Sequence, residues 1–203
     1  MRIILKPAGF LVVLLTIGIL LFAAFTKRGV SVPPAAPVAA TPAPAPVASP
    51  LNLVQNGDMS AQSAEGFPAN WGDRWFDGKG VAVTSDAVEP HSAPAALRLD
   101  TENGFVKAQS KQVIPAQSGS QYKVSGYIRS KGTGVWSLGV QFYNAAMKPV
   151  GFQHIGDTTP NAAWQQREDT VTVPPDATQM GVMLYAEGQG KGWLDDVSVT
   201  AVP

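Results

Sequence analysis

Tyr127, Tyr143 and Tyr185 each lie in a short run of alternating character, on the side opposite the apolar residues. In Gln121 to Ser130 the apolar set is Tyr122, Val124 and Ile128, with Gly126 between them. In Val135 to Asn144 it is Trp136, Leu138, Val140 and Phe142, and in Gln179 to Glu187 it is Met180, Val182 and Leu184. Successive strand side chains point to opposite faces, so the three tyrosines share the outward parity with Arg129, Gln141 and Glu187. A sugar ring presents an apolar C–H face and a rim of hydroxyls, and its partner needs flat aromatic area flanked by amide, carboxylate or guanidinium groups. A single outward tyrosine needs no ligand, because aromatic cross-strand pairs stabilise sheets by themselves. Three with these neighbours point to a binding face. Trp71, Trp75 and Phe76 fall in the Gly/Asp/Asn-rich segment Gly66 to Gly80, which reads as a loop, where some of them must be core plugs.

A second constellation is acidic. In Gly192 to Thr200, Val197 and Val199 share one parity and Leu194 has the other, so the register must shift between them. A bulge at Asp195-Asp196 resolves this and aims one carboxylate inward, where a charge is costly without a cation or hydrogen bonds. Two readings stand at this point. In one, a calcium ion is held by Asp195 with Asp58 from the start of the domain; in the other, the aspartates are solvated or paired with lysine or arginine.

Other chemistries are excluded by composition. The chain has no cysteine, which rules out disulfides, thiolate zinc sites and cysteine nucleophiles, and its two histidines, His91 and His154, cannot form a histidine-only metal cage. A glycosidase needs two carboxyl groups about 5–9.5 Å apart across one bond. The obvious pairs, Glu168-Asp169 and Asp195-Asp196, are sequence neighbours on strands and point to opposite faces unless a bulge intervenes. No Gly-x-Ser-x-Gly elbow or phosphate loop is present, and Gly188 to Gly192 reads as a hairpin turn. The chain is not expected to be an enzyme. Residues 51–203 carry fifteen acids against eleven bases, a net charge of −4, which argues against nucleic acid as a partner.

The elements that position these residues follow from patterning. Residues 51–203 alternate with period two in short runs, broken about every eight to twelve residues by Gly, Pro, Asn or Asp, the pattern of an all-β sandwich of two antiparallel sheets. The expected strands are Gly80 to Ser85, Ala95 to Thr101, Phe105 to Val113, Gln121 to Ser130, Val135 to Asn144, Lys148 to Gly156, Ala163 to Val173, Gln179 to Glu187 and Gly192 to Thr200. Asn103-Gly104 suits a type I′ turn and predicts a hairpin between the second and third. Trp164 and Trp193 begin strands and are expected to cover an end of the sandwich.

Residues 29–50 contain seven prolines and seven alanines, a linker composition that favours extended polyproline II and cannot build a core. Before it, residues 8–26 form a run of nineteen without a charge, long enough to cross a bilayer as a helix. Residues 1–28 therefore read as a signal anchor. The alternative is a cleaved signal peptide, against which stands the poor cleavage motif Ala24-Phe25-Thr26. Either way the domain is expected to be extracytoplasmic, periplasmic or at the cell surface, and either membrane-anchored or secreted.

Asn52-Leu53-Val54-Gln55-Asn56-Gly57-Asp58-Met59, Pro68-Ala69-Asn70-Trp71, His91 to Leu99, Tyr122 to Arg129 and Gly192-Trp193-Leu194-Asp195-Asp196-Val197-Ser198-Val199 occur in that order. In this the chain resembles the jelly-roll carbohydrate-binding modules of families four, nine and twenty-two, of the galactose-binding-like fold, over residues 52–200. The resemblance implies a jelly-roll β-sandwich that binds oligo- or polysaccharide on a concave face and carries a structural calcium near its termini. It makes Trp71 a core residue and Trp75 or Phe76 an exposed platform. The family's opening Asn-Gly-x-Phe-Glu is replaced by Asn56-Gly57-Asp58-Met59-Ser60, so one calcium carboxylate is missing, while Asp195 matches the closing aspartate. Together these readings predict a membrane-tethered, non-catalytic module that stacks a neutral glycan on Tyr127, Tyr143 or Tyr185, with hydroxyl contacts from Arg129, Gln141 and Glu187. The competing reading is an envelope scaffold that docks a protein through the same face.

Overall fold

A computed structural model describes residues 49–203, without the side chains of Asp73, Arg74 and Phe76. The expected membrane helix, and the Pro/Ala-rich linker apart from Ser49 and Pro50, lie outside the described residues. Among those described, every helix or strand assigned is a strand: β1 (Trp71–Lys79), β2 (Ala82–Asp86), β3 (Ala96–Thr101), β4 (Asn103–Ser110), β5 (Ile114–Pro115), β6 (Gln121–Tyr143), β7 (Pro149–Ile155), β8 (Gln165–Thr172) and β9 (Gln179–Ala201).

Two 23-residue strands, β6 and β9, organise the rest. They pair antiparallel along their length, from Tyr122↔Ala201 to Tyr143↔Gln179. One half of this ribbon is flanked by β4 and β1 on the β9 side and by β7 on the β6 side; the other half is flanked by β3 and β2, and by β8. The inward side chains of both halves share one core, which includes Val124, Ile128, Leu138, Val140, Val182, Leu184, Leu194 and Val199. The continuous sheet is therefore folded over into a two-layer sandwich. The fold-over sits where Gly132 and Gly134 face Gly190 and Gly188, all with positive φ. A Cβ at Gly132 would stand 2.0 Å from the Gln189 carbonyl oxygen. Just beyond the bend the layers touch, because a Cβ on Gly192 would lie 2.4 Å from the Trp136 ring.

Two expected turns are thus not turns. Gln121 to Ser130 and Val135 to Asn144 are one strand, and so are Gln179 to Glu187 and Gly192 to Thr200, since the glycine-rich stretches between them pair with each other. The hairpin at Asn103-Gly104 is also absent. These residues extend β4 and pair with Lys79 and Gly78 of β1. β3 and β4 lie in opposite layers, because the apolar sides of both, Leu97 and Leu99 against Val106 and Ala108, have to meet one core. The segment read as a loop around Trp71 to Lys79 is strand β1. It pairs on one side alone and plugs the core with Trp71, so it needs no alternating apolar run. The bulge expected near Asp195-Asp196 is present: Ser125 pairs with Ser198 and Tyr127 with Asp195, so Asp196 and Val197 share one opposing residue, and Asp196 takes φ 49°.

Candidate functional site

Fully buried Val106 and Ala108 point β4 into the core, so Phe105, Lys107 and Gln109 stand on the outer face. The same parity puts Tyr185 and Glu187 of β9, Ser137, Gln141 and Tyr143 of β6, and Phe152 and His154 of β7 on that face. The ladders align them in rows, Trp75–Lys107–Tyr185–Ser137 and Gln109–Met183–Gly139–His154. Trp75 on edge strand β1 is 62% exposed and meets Phe105 edge-on at 5.8 Å between ring centroids. Phe105 lies 6.0 Å from Tyr185, which is 5.3 Å from both Phe152 and His154. Aromatic area thus runs across four strands.

Polar groups sit among the rings. Lys107 Nζ lies 5.4 Å from the Trp75 ring centroid, 5.6 Å from Phe105 and 5.2 Å from Phe152, and donates to Gln141 Oε1 at 3.2 Å. Tyr143 Oη donates to Gln109 Oε1 at 2.6 Å, and Gln141 Nε2 donates to the Gly151 carbonyl. Ser137 Oγ and His154 Nδ1 are hydrogen-bonded at 2.7 Å. Tyr185 Oη donates to Glu187 Oε2 at 2.8 Å. Burial and then the Glu187 carboxylate push the Tyr185 phenol up to about 12. Burial pulls the Lys107 ammonium below its usual value and does the same to His154, against an opposing pull from Glu187. A cleft of about 210 Å³ opens here, bounded by Trp75, Lys107, Gln109, Gln141 and Tyr143, with Met147 and Pro149 at the rim. It is smaller than the ~300–1,000 Å³ of an enclosed small-molecule pocket.

Of the residues expected from sequence, Trp75, Gln141, Tyr143, Tyr185 and Glu187 are brought to this face; the side chain of Phe76 lies outside those described. Tyr127 and Arg129 are not. They lie on the other half of β6, beyond the fold-over, where the same outward parity points to the opposite side of the sandwich. There Tyr127 stacks on His91 at 3.5 Å. Arg129 is 7% exposed, with its guanidinium 4.4 Å from the Trp193 ring and 5.0 Å from Trp164, and it donates to Glu89 and to the Val88 carbonyl. Sequence reasoning passed over Phe105, Lys107, Gln109, Phe152 and His154. The parity argument applied to Phe105 through Ser110 would have found the first three.

The acidic constellation has its own partners. Asp195 is fully buried, with Oδ2 accepting from Ser92 N at 2.9 Å and Oδ1 from Asp196 N at 2.8 Å. Burial, opposed by these amides, pushes its carboxyl up to about 6. Asp196 is held by His91 Nδ1 and by Ser92 Oγ. Asp58 is exposed and accepts from Ser60 within its own turn. Where the first described segment meets β9, the neutral amide of Asn52 bridges them, with Nδ2 donating to Val197 O and Oδ1 accepting from Val54 N and Val199 N. Among the described residues no three metal-ligating side chains converge. Asp58 is held within its own turn and each Asp195 oxygen accepts one amide hydrogen, an arrangement that gives the buried carboxylate partners without a cation.

No family model and no curated protein sequence matches this chain. Solved structures do. The enzymatically active domain of tailspike protein 4 from bacteriophage CBA120 superposes with a TM-score of 0.58 at 16% identity, over 74% of this chain and 21% of that one, so this chain spans about a fifth of its length. The CBM22-1 xylan-binding domain of Paenibacillus barcinonensis Xyn10C gives 0.55 at 10% identity, over 77% of this chain and 98% of that one. The C-terminal family 22 carbohydrate-binding module of Clostridium thermocellum Xyn10B gives 0.53 at 15% identity, over 72% and 94%. At these identities the likeness is one of architecture. The sandwich built on β6 and β9 has the jelly-roll fold of carbohydrate-binding modules of the family 4 and 22 type.

Proposed function

We propose that residues 51–203 are a non-catalytic carbohydrate-binding module, held extracytoplasmically by a membrane anchor at residues 8–26 and the Pro/Ala-rich linker. The observation that carries this reading is the outer face of β1, β4, β9, β6 and β7. There Trp75, Phe105, Tyr185 and Phe152 supply flat aromatic area, and Lys107, Gln109, Gln141 and Glu187 supply polar groups between and beside the rings. A protein-docking surface would be a contiguous apolar patch, whereas charge and amide groups interrupt the rings here. Weak single-site binding suits a tethered module, since attachment raises its effective concentration at the envelope. No described pair of carboxyl groups flanks the cleft in the manner of a glycosidase.

The test is affinity electrophoresis of the detergent-solubilised chain through gels containing soluble polysaccharides, comparing the unaltered protein with Tyr185→Ala. Retardation by at least one glycan that the substitution abolishes, with the melting temperature kept, supports the module. A folded protein retarded by none of them would overturn it.

A further inference from the structure

Lys107 is the one charged side chain among the described residues that line the cleft. The described basic side chains that are partly or fully buried elsewhere all have carboxylates: Arg98 has Asp86 and Asp100, Arg129 has Glu89, and Arg167 has Asp157. Lys107 has none among the described residues. Its ammonium is half-buried among three rings, with one hydrogen bond, to a neutral amide. An ammonium carries three donors, so two remain for a ligand.

The hydrogen-bonding character of the cleft points the same way. Gln141 Oε1 already accepts from Lys107, and Gln109 Oε1 already accepts from Tyr143. Each of those oxygens keeps one lone pair, and beside them the cleft offers the unengaged donors of the Lys107 ammonium and the Gln109 amide nitrogen, the ammonium being the one full charge in its described lining. A sugar hydroxyl is both donor and acceptor, whereas a carboxylate is acceptor alone, and a charge-assisted bond to it is about twice as strong as a neutral one. Glu187, one row from Lys107 along β9, supplies an acceptor for the hydroxyls of an adjoining ring.

Building on the carbohydrate-binding reading, we infer that this groove takes an acidic glycan, with the carboxylate of a uronate residue seated on Lys107 and Gln109 and the neighbouring ring stacked on Tyr185 and Phe152. A bound carboxylate compensates the ammonium for the water that burial has removed, which a neutral hydroxyl does less well. Loss of that pairing is expected to cost ~10–100-fold in affinity.

The experiment is calorimetric titration of the full chain in mild detergent with oligogalacturonate, oligoalginate and oligoglucuronate, each beside its carboxyl-reduced counterpart, a neutral chain of the same linkage. The unaltered protein is expected to prefer one acidic form over its reduced partner by ~10–100-fold. Lys107→Met is expected to abolish that preference with the melting temperature kept, whatever it does to overall affinity, and Lys107→Arg is expected to restore part of it. The comparison of native with reduced ligand needs no variant, so it stands even where a substitution impairs folding. Equal binding of native and reduced chains, binding of neutral xylan, galactan or glucan alone, or a preference that survives Lys107→Met would overturn the uronate inference and leave carbohydrate binding intact. Binding of no glycan, acidic or neutral, would remove both.

Discussion

The two outer sides of the sandwich carry similar inventories, a cation among aromatic rings with a carboxylate nearby, and use them differently. Around Arg129, the chain supplies partners to both terminal nitrogens: two tryptophans cover the guanidinium, Glu89 and the Val88 carbonyl bind Nη1 and Nη2 while Nε stays buried between the rings, and Trp164 Nε1 donates to the Glu89 carbonyl. Ser92 and His91, in the same connection between β2 and β3, close on the bulge at Asp195 and Asp196. Around Lys107 the chain supplies rings and one amide, and it leaves Trp75 62% exposed. Residue type does not distinguish a clasp from a binding surface. What distinguishes them is whether polar groups that have lost water regain partners within the chain or keep donors for a ligand.

The largest effect that would break this contrast is at Arg129. Arg129→Ala removes the stem and guanidinium packed between two indoles and frees the β2–β3 connection, so a loss of about 2–4 kcal/mol of stability is expected from chemical denaturation. Glycan affinity below the melting transition is expected to stay within about twofold. A variant as stable as the parent, or one that lost binding while folded, would show that the Arg129 side is not the closed one.

Next in size is a pH effect on the same side. Asp195 titrates near 6 in the folded protein against an ordinary 3.8, so between those values the folded state holds more protons than the unfolded one. Stability from this group is present below about pH 4 and is lost as pH rises through about 6, by at most ~3 kcal/mol. Subtracting the melting curve of Asp195→Asn from that of the parent at each pH isolates it, and the difference is expected to move against the parent between pH 4 and 6 and then level off. A flat difference would mean that the Ser92 and Asp196 amides offset burial in full.

On the open side the expectation is the reverse, with binding lost and stability kept. Tyr185→Ala removes the ring between Phe105 and Phe152, and an affinity loss of ~10-fold with a stability change under about 1.5 kcal/mol is expected. Trp75, on an edge strand and largely exposed, should show the same separation with a stability change within about 0.5 kcal/mol.

Local alternation made much of this legible. It sorted Trp136, Leu138, Val140 and Phe142 from Gln141 and Tyr143, and the parity of Leu194 against Val197 located the bulge. It could not show that Lys131 to Gly134 pairs with Gly188 to Lys191, because that ladder joins residues more than fifty apart in sequence. Without the resulting fold-over, Tyr127 and Arg129 look equivalent to Tyr143 and Gln141. For the same reason Asn103-Gly104 looked like a hairpin turn: its local chemistry fits one, and the need for β3 and β4 to face a single core from opposite layers overrides it. Lys107 was passed over because an isolated strand lysine is unremarkable until the three rings around it are in place.

The smallest expected effect is that of metal removal where the first described segment meets β9. Asn52 joins the first segment to β9 through two hydrogen bonds of one neutral amide, which also accepts from Val54 N within that segment, and Leu53 N donates to the Val199 carbonyl at 2.8 Å. The buried Asp195 carboxylate already has the Ser92 and Asp196 amides as partners, so EDTA is expected to leave the melting temperature within about 1 °C, and added calcium is expected not to raise it. Asn52→Ala, by contrast, strands the Val199 amide and the Val197 carbonyl, at a cost of about 1–2 kcal/mol. A drop on EDTA that calcium reverses would instead mean that a cation displaces the Ser92 amide from Asp195, coupling the ends of the chain to the closed side of the sandwich and leaving the open side unaffected.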